Sequence, residues 1–217
     1  MSNTEIPVQF PEDNEYSQIN GKSLNAWLNR VKKYQIIYAD PPWTYPKTGG
    51  KTNSRGMAKQ FYDTMGIDEI CDLPIDNITD DNCILFLWTT YPQMPNALKV
   101  VEAWGFTYFG LGFEWIKRNP KTGKDAFGMG YWTRANPEPC LIAIKGKPKP
   151  VSHSVRQLLY APLTKHSEKP SEARQRIVEL CGELPRIELF ARQKVDGWDS
   201  WGNEIESDII LTPKENK

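Results

Sequence analysis

The chain has 217 residues, the size of one ordinary domain, and its 27 basic and 27 acidic side chains cancel, which argues against a protein that coats nucleic acid indiscriminately. No apolar run approaches the roughly 20 residues of a membrane span, and the start Met1-Ser2-Asn3-Thr4-Glu5 lacks a basic-then-apolar leader, so a cytoplasmic location without membrane contact is expected. Cys71, Cys83, Cys140 and Cys181 are scattered with no Cys-x-x-Cys pair, and His153 and His166 stand alone, so neither a disulfide framework nor a metal site is expected.

Residues 1–20 carry acids and no bases and read as a poorly ordered arm, with 21–217 as a single domain. From Ser23, a capping residue, Leu24, Trp27, Leu28 and Val31 follow helical spacing. The apolar run 34–39 has the length of a buried strand and stops at Asp40-Pro41-Pro42-Trp43, because consecutive prolines cannot donate ladder hydrogen bonds. The Gly- and Lys-rich stretch 46–59 has no periodicity and reads as a loop beside that tetrapeptide. A second apolar strand, 84–88, leads to a helix over 92–105 with Leu98, Val101 and Trp104 on one face and Gly105 at its end. Strands are expected over 106–116 and 140–144, separated by a long basic and aromatic loop, and again over 155–160. Pro170 and Ser171 open a helix with Ala173, Ile177 and Leu180 inward and Gly182 closing it, and 186–190 returns as a strand. Such alternation implies an α/β fold, a mixed and mostly parallel sheet with helices on both faces, whose ligands gather beyond the carboxyl ends of the strands.

The charges are unevenly spread. Segment 61–82 holds seven acids and no base, whereas 117–165 holds ten bases against Asp125 and Glu138, a tract that would attract a phosphate backbone. Within it Lys117, Arg134 and Asn136 are interleaved with Tyr131 and Trp132, a pattern suited to clamping a nucleic-acid strand.

The chemistry centres on Asp40. Its carboxylate and the Pro41 carbonyl are acceptors at a strand tip, and the Trp43 ring offers a flat face, a combination suited to the exocyclic amine of a nucleobase. These residues open an ordered series of blocks: Ala39-Asp40-Pro41-Pro42-Trp43, Phe61-Tyr62-Asp63-Thr64-Met65, Leu85-Phe86-Leu87-Trp88, Glu138-Pro139-Cys140-Leu141-Ile142, His166-Ser167-Glu168-Lys169-Pro170, Ile187-Glu188-Leu189-Phe190-Ala191-Arg192 and Gly202-Asn203-Glu204. In that order, from about Gln35 to Ile205, the chain resembles the DPPW-type adenine-N6 methyltransferases of the MT-A70 family, and bacterial or phage members most.

The resemblance implies a Rossmann-like, circularly permuted methyltransferase using S-adenosyl-L-methionine and acting on nucleic acid, with DNA preferred over RNA, as a homo- or heterodimer. It assigns Asp40, Pro41, Pro42, Trp43 and Tyr62 to the target base, with Tyr45 a weaker candidate. Lys169 would meet the donor's carboxylate, and Arg192, Asn203 and Glu204 its nucleoside; Glu188, on the strand beside the site, reads equally as a cofactor-binding residue or a structural one. Lys117, Arg134, Asn136 and Glu138 would line the substrate side. Glu204 stands where some relatives have Gln, and Gln193-Lys194-Val195 follows Arg192, which leaves the ribose contacts open. No Gly-x-Gly-x-x-Gly occurs, which disfavours a dehydrogenase. The competing readings are a non-catalytic partner of an active subunit and a small-molecule amine methyltransferase.

Overall fold

A computed structural model of the chain describes residues 32–45, 64–129, 132–164 and 168–211. The expected arm at 1–20, the helix from Ser23 and the loop over 46–59 lie outside them. From Lys33 onward the chain forms one compact unit. Its seven strands are β1 (Tyr34–Ala39), β2 (Thr79–Trp88), β3 (Thr107–Arg118), β4 (Glu138–Lys145), β5 (Leu158–Pro162), β6 (Arg186–Leu189) and β7 (Asp199–Trp201). They make a single sheet in the order β5-β3-β4-β2-β1-β6-β7. Strands β2, β1, β6 and β7 run parallel, β4 opposes both β2 and β3, and β5 is parallel to β3. This is the mixed, mostly parallel α/β sheet that the alternation implied. The carboxyl ends of six strands therefore share one edge with the amino end of β4, and that edge carries Asp40, Lys117 and Glu138.

Side chains alternate across each strand, and both faces are apolar because both are covered. On one face Ala173, Ile177 and Cys181 of helix α3 (Ser171–Cys181) pack on Ile36, Tyr38, Phe86, Trp88 and Trp115. On the other, Ile37, Leu85 and Leu87 are buried on the side where α1 (Ile67–Cys71) and α2 (Met94–Ala103) lie. The Trp104 indole, at the end of α2, donates to the Ile70 carbonyl of α1 at 2.9 Å. Full burial of side chains such as Ile36, Leu85 and Phe86 contributes about 1.5–3 kcal/mol each, and supplies the force that holds the edge loops in place.

Three details differ from the sequence expectation. Strand β2 begins at Thr79, five residues early, because its first turn of pairing carries exposed Asp81 and Asn82 that mask the pattern. Helix α2 buries the expected Val101, with Trp104 just after it, but its inward stripe is completed by Ala97 and Val100, and Leu98 is left 39% exposed. The basic tract is divided. Strand β4 spans eight residues, about 26 Å at 3.3 Å per residue, and carries the chain from Glu138 on the site edge to Lys145 on the opposite one. There Lys145 is held by Asp76 at 2.9 Å and Thr79 at 2.8 Å, and Lys147 donates its N–H to Asn82. Among the described residues no helix is long and apolar enough to cross a membrane, and no group of three His, Cys, Asp or Glu is placed to hold a metal.

Candidate active site

Asp40 leaves the end of β1, and the prolines after it turn the chain sharply. The Trp43 N–H donates to the Pro41 carbonyl at 2.9 Å, leaving that oxygen one lone pair for another donor. The segment is then tied on every side. Met65 N–H donates to the Pro42 carbonyl at 3.0 Å and Thr44 Oγ1 to the Met65 carbonyl at 2.7 Å. Trp43 Nε1 donates to the Trp88 carbonyl at 3.2 Å, and Gln93 Nε2 to the Thr44 carbonyl at 2.9 Å. Trp43 is 7% exposed, so it serves as a fixed wall with little ring surface open. Neither Gln93 nor Trp88 is given a site role by the sequence, although Trp88 ends one of the ordered blocks as an aromatic at a strand's carboxyl tip; Gln93 carries no such signal.

Lys169 comes from the chain entering α3, on the covered face, and its ammonium reaches across the sheet edge. Nζ lies 2.6 Å from Asp40 Oδ2, 3.0 Å from Glu138 Oε1 and 5.7 Å from the Trp88 ring centre. Glu138 Oε2 is 2.6 Å from Lys117 Nζ. The result is a chain of alternating charge, Asp40, Lys169, Glu138, Lys117, on four separate segments, buried at its two middle members and partly exposed at its ends. Burial would depress the Lys169 ammonium, but Asp40 and Glu138 outweigh it and hold the proton on more firmly than usual. Burial would likewise raise Glu138, yet Lys169 and Lys117 together bring it below the ordinary carboxylate value. For Asp40 burial wins: Lys169 and, less strongly, Arg192 pull its carboxyl down, Glu138 pushes it up, and the balance leaves it raised. Among the described residues no donor meets Asp40 Oδ1.

The carboxyl ends of β6 and β7 lie next to Asp40. Glu188, on β6, is buried and both its oxygens are taken by Arg174 of α3, at 2.7 and 2.9 Å. Arg174 escaped the sequence reading because a charged residue among inward-facing positions looks like a break in the pattern. Phe190 follows with φ of +60°, an unusual left-handed conformation for a bulky side chain, and it turns the strand end outward. Beyond it Arg192 Nε stands 3.7 Å from Glu204 Oε1, a loose and partly exposed pair. Gly202 permits this approach, since a Cβ there would fall 2.1 Å from the Ala191 carbonyl oxygen. Asn203 is exposed beside them.

On the substrate side, Asn136 is turned inward. Its Oδ1 accepts the Lys117 N–H at 3.0 Å and its Nδ2 donates to the Lys117 carbonyl at 2.9 Å and to the Ala126 carbonyl, so the amide shapes the loop between β3 and β4. Arg134 is exposed on that loop. Tyr62 and Tyr131 lie outside the described residues. Thus Asp40, Lys169, Glu138 and Lys117 converge; Arg192, Asn203 and Glu204 form a neighbouring group; Glu188 and Asn136 are occupied by partners within the chain.

The sequence profile of the MT-A70 family matches residues 34–204, which contain this whole constellation. A type II methyltransferase, M.MunI, of Mycoplasma sp is 39% identical over 204 residues, covering 86% of this chain and 84% of that protein. A probable N(6)-adenosine-methyltransferase MT-A70-like protein of Oryza sativa subsp. japonica is 27% identical over 198 residues, 88% of this chain but 26% of its own length. The human N(6)-adenine-specific methyltransferase METTL4 is 26% identical over 198 residues, 84% of this chain and 39% of its own. The chain therefore spans most of the Mycoplasma protein and only the smaller part of the two eukaryotic ones. With the profile covering both the sheet and the charged cluster at its edge, the chain belongs to the MT-A70 family.

Proposed function

We propose that the chain transfers a methyl group to the N6 amino nitrogen of adenine in DNA, with S-adenosylmethionine as donor. The observation that carries this reading is Asp40: a carboxylate fixed at a strand tip, gripped on one oxygen by Lys169, beside a proline carbonyl with a lone pair to spare. Adenine's amino lone pair is delocalised into the ring, so acceptors placed on its N–H bonds favour a pyramidal nitrogen and stabilise the positive charge that develops there. S-Adenosylmethionine, when bound, supplies an electrophilic methyl on sulfur. The residues present suit such a donor. Glu204 can accept from vicinal hydroxyls, Arg192 and Asn203 can donate, and Lys169 is an ammonium at the start of α3. Glu188 acts from beneath, by holding Arg174 and the end of β6.

DNA is preferred because the relative named a type II methyltransferase is covered over 84% of its length, whereas those named for adenosine or RNA are covered over 26–48%. Lys117, Arg118, Lys121, Lys124 and Arg134, all on the loop side of the site edge, favour a polyanion over a small amine. Transfer of labelled methyl to double-stranded DNA, single-stranded DNA and RNA, followed by nucleoside mass spectrometry, tests the reading. Label in N6-methyladenine from DNA is the expected result. Label confined to RNA would move the substrate, and label in none with the donor bound would leave a non-catalytic subunit.

A further inference from the structure

Asp40, Lys169 and Glu138 are recessed, with Lys169 and Glu138 both under a tenth exposed. An adenine amino group paired within a duplex cannot reach that depth, so the base must leave the stack, at a cost of a few kcal/mol. The loop between β3 and β4 is built in a way that bears on this step. Its base is pinned: Ala126 N–H donates to the Lys117 carbonyl at 2.8 Å, Gly128 N–H to the Ala135 carbonyl at 2.6 Å, Arg118 pairs with Asp125 at 2.7 Å, and the Asn136 amide bridges the two sides. Its tip is apolar and bare, with Phe127 71%, Met129 96% and Trp132 99% exposed. Six residues after Trp132 the chain reaches Glu138, whose carboxylate touches Lys169. An uncovered indole on a braced loop is a costly surface feature unless something covers it, and the bases around it, with the one exposed acid of the loop already held by Arg118, select a polyanion.

We infer that Trp132, assisted by the equally exposed Met129 of the same loop, inserts into the duplex at the step from which the target adenine departs, filling the gap and holding the base in the extruded state. This rests on the proposed action on DNA. Insertion of an apolar side chain between base steps is a known way of unstacking a duplex, and here the wedge stands on the same sheet edge as the acceptors that receive the base. Trp132 touches none of the reacting groups, so its effect is confined to substrates in which the adenine must be pulled from a pair.

The test compares wild type, Trp132→Ala, Trp132→Phe and the double Met129→Ala/Trp132→Ala variant. The substrates are a duplex carrying the sequence that wild type methylates, the same duplex with a mismatch opposite the target, and the single strand. Trp132→Ala should lower kcat/KM on the paired duplex by about tenfold or more, as loss of a wedge worth over 1.4 kcal/mol requires. The loss should be several-fold smaller on the mismatched duplex and the single strand, where less pairing or none has to be broken, and Trp132→Phe should retain most of the duplex activity. With 2-aminopurine at the target position, wild type should raise its fluorescence on binding and Trp132→Ala should not. An equal loss on all three substrates, an unchanged duplex rate, or a shift from dimer to monomer that accounts for the loss would each overturn insertion. Failure of wild type to methylate any DNA would overturn the proposed function, and insertion with it.

Discussion

Two buried ion pairs lie within a few residues of each other around the start of α3, and they are built to opposite ends. Arg174 and Glu188 meet through a planar fork, two hydrogen bonds onto two carboxylate oxygens at 2.7 and 2.9 Å, which leaves the pair closed to outside partners. Lys169 instead offers a point charge shared between two carboxylates, each held by one oxygen, and Asp40 keeps its other oxygen without a donor among the described residues. The first arrangement ties a helix to a strand. The second leaves acceptor capacity at a sheet edge, where a ligand's amine can use it. Lys169 faces two carboxylates where Arg174 faces one, and the Asp40 side chain is 26% exposed against 11% for Glu188, so the two sites differ in charge, in exposure and in how much hydrogen-bonding capacity the chain itself consumes.

The largest effect expected from this contrast is on Asp40. Asp40→Ala removes the acceptor from the developing charge and should lower kcat by roughly 10²–10³-fold or more, with S-adenosylmethionine affinity nearly unchanged. Single-turnover methylation alongside donor binding by calorimetry separates the two quantities. Loss of donor binding to the same degree would assign Asp40 to the donor instead.

The closed pair should respond in stability. Arg174→Met leaves Glu188 buried without its partner and should destabilise the fold by about 3–5 kcal/mol in urea unfolding, while Arg174→Met/Glu188→Leu should recover most of that. If Glu188 contacts the donor directly, the double variant will still bind S-adenosylmethionine weakly even though its stability has returned. If Glu188 works only through Arg174, affinity returns with stability.

Much of this was legible in the chain before any coordinates. Strand β1 formed at residues 34–39 because an unbroken apolar run bounded by a double proline has few alternatives, and the tetrapeptide after it marked the site edge. Lys169 and Glu138 were picked out by their blocks, but nothing in sequence spacing says that a residue 129 positions from Asp40 would lie 2.6 Å from it. Nor does spacing say that Glu138 would join them: that depends on β4 running against β2, which puts its first residue on the same edge as the end of β1. The same reversal divided the basic tract, since Glu138 and Lys145 stand at the two ends of an eight-residue strand. Arg174, Gln93 and the inward turn of Asn136 were invisible for a common reason: each is a polar residue whose role is fixed by a partner far along the chain.

The open cluster should also show itself in pH dependence. Asp40 must be ionised to accept an amine hydrogen, and burial raises its carboxyl above the ordinary 3.8. The acid limb of kcat/KM should therefore fall at a higher pH than for a solvated aspartate. Glu138 adds to that rise, so Glu138→Gln should move the limb to lower pH. Lys169 opposes it, so whatever activity Lys169→Met retains should show the limb displaced upward. A limb that stays in place in both variants would mean that some other group sets it.

The smallest effect distinguishes the two carboxylates that share Lys169, because their shifts have opposite signs. Glu138 is held below its unfolded value of 4.5, so it contributes stability that is present above that pH and lost as pH falls through its lower folded value. Asp40 is raised above 3.8, so its ionisation disfavours the folded state at neutral pH, and the penalty is relieved as pH falls through its folded value. Asp40→Asn should accordingly leave unfolding stability at pH 7 unchanged or raise it by up to about 1 kcal/mol, as functional sites often sacrifice stability, while Glu138→Gln should lower it. The divergence between the two variants should narrow as the pH falls through the folded values of the two carboxyls, the raised Asp40 first and the lowered Glu138 after it. Stability curves that lie together at pH 7 would show that the cluster treats its two carboxylates alike, and the distinction between an anchoring Glu138 and an available Asp40 would then rest on position alone.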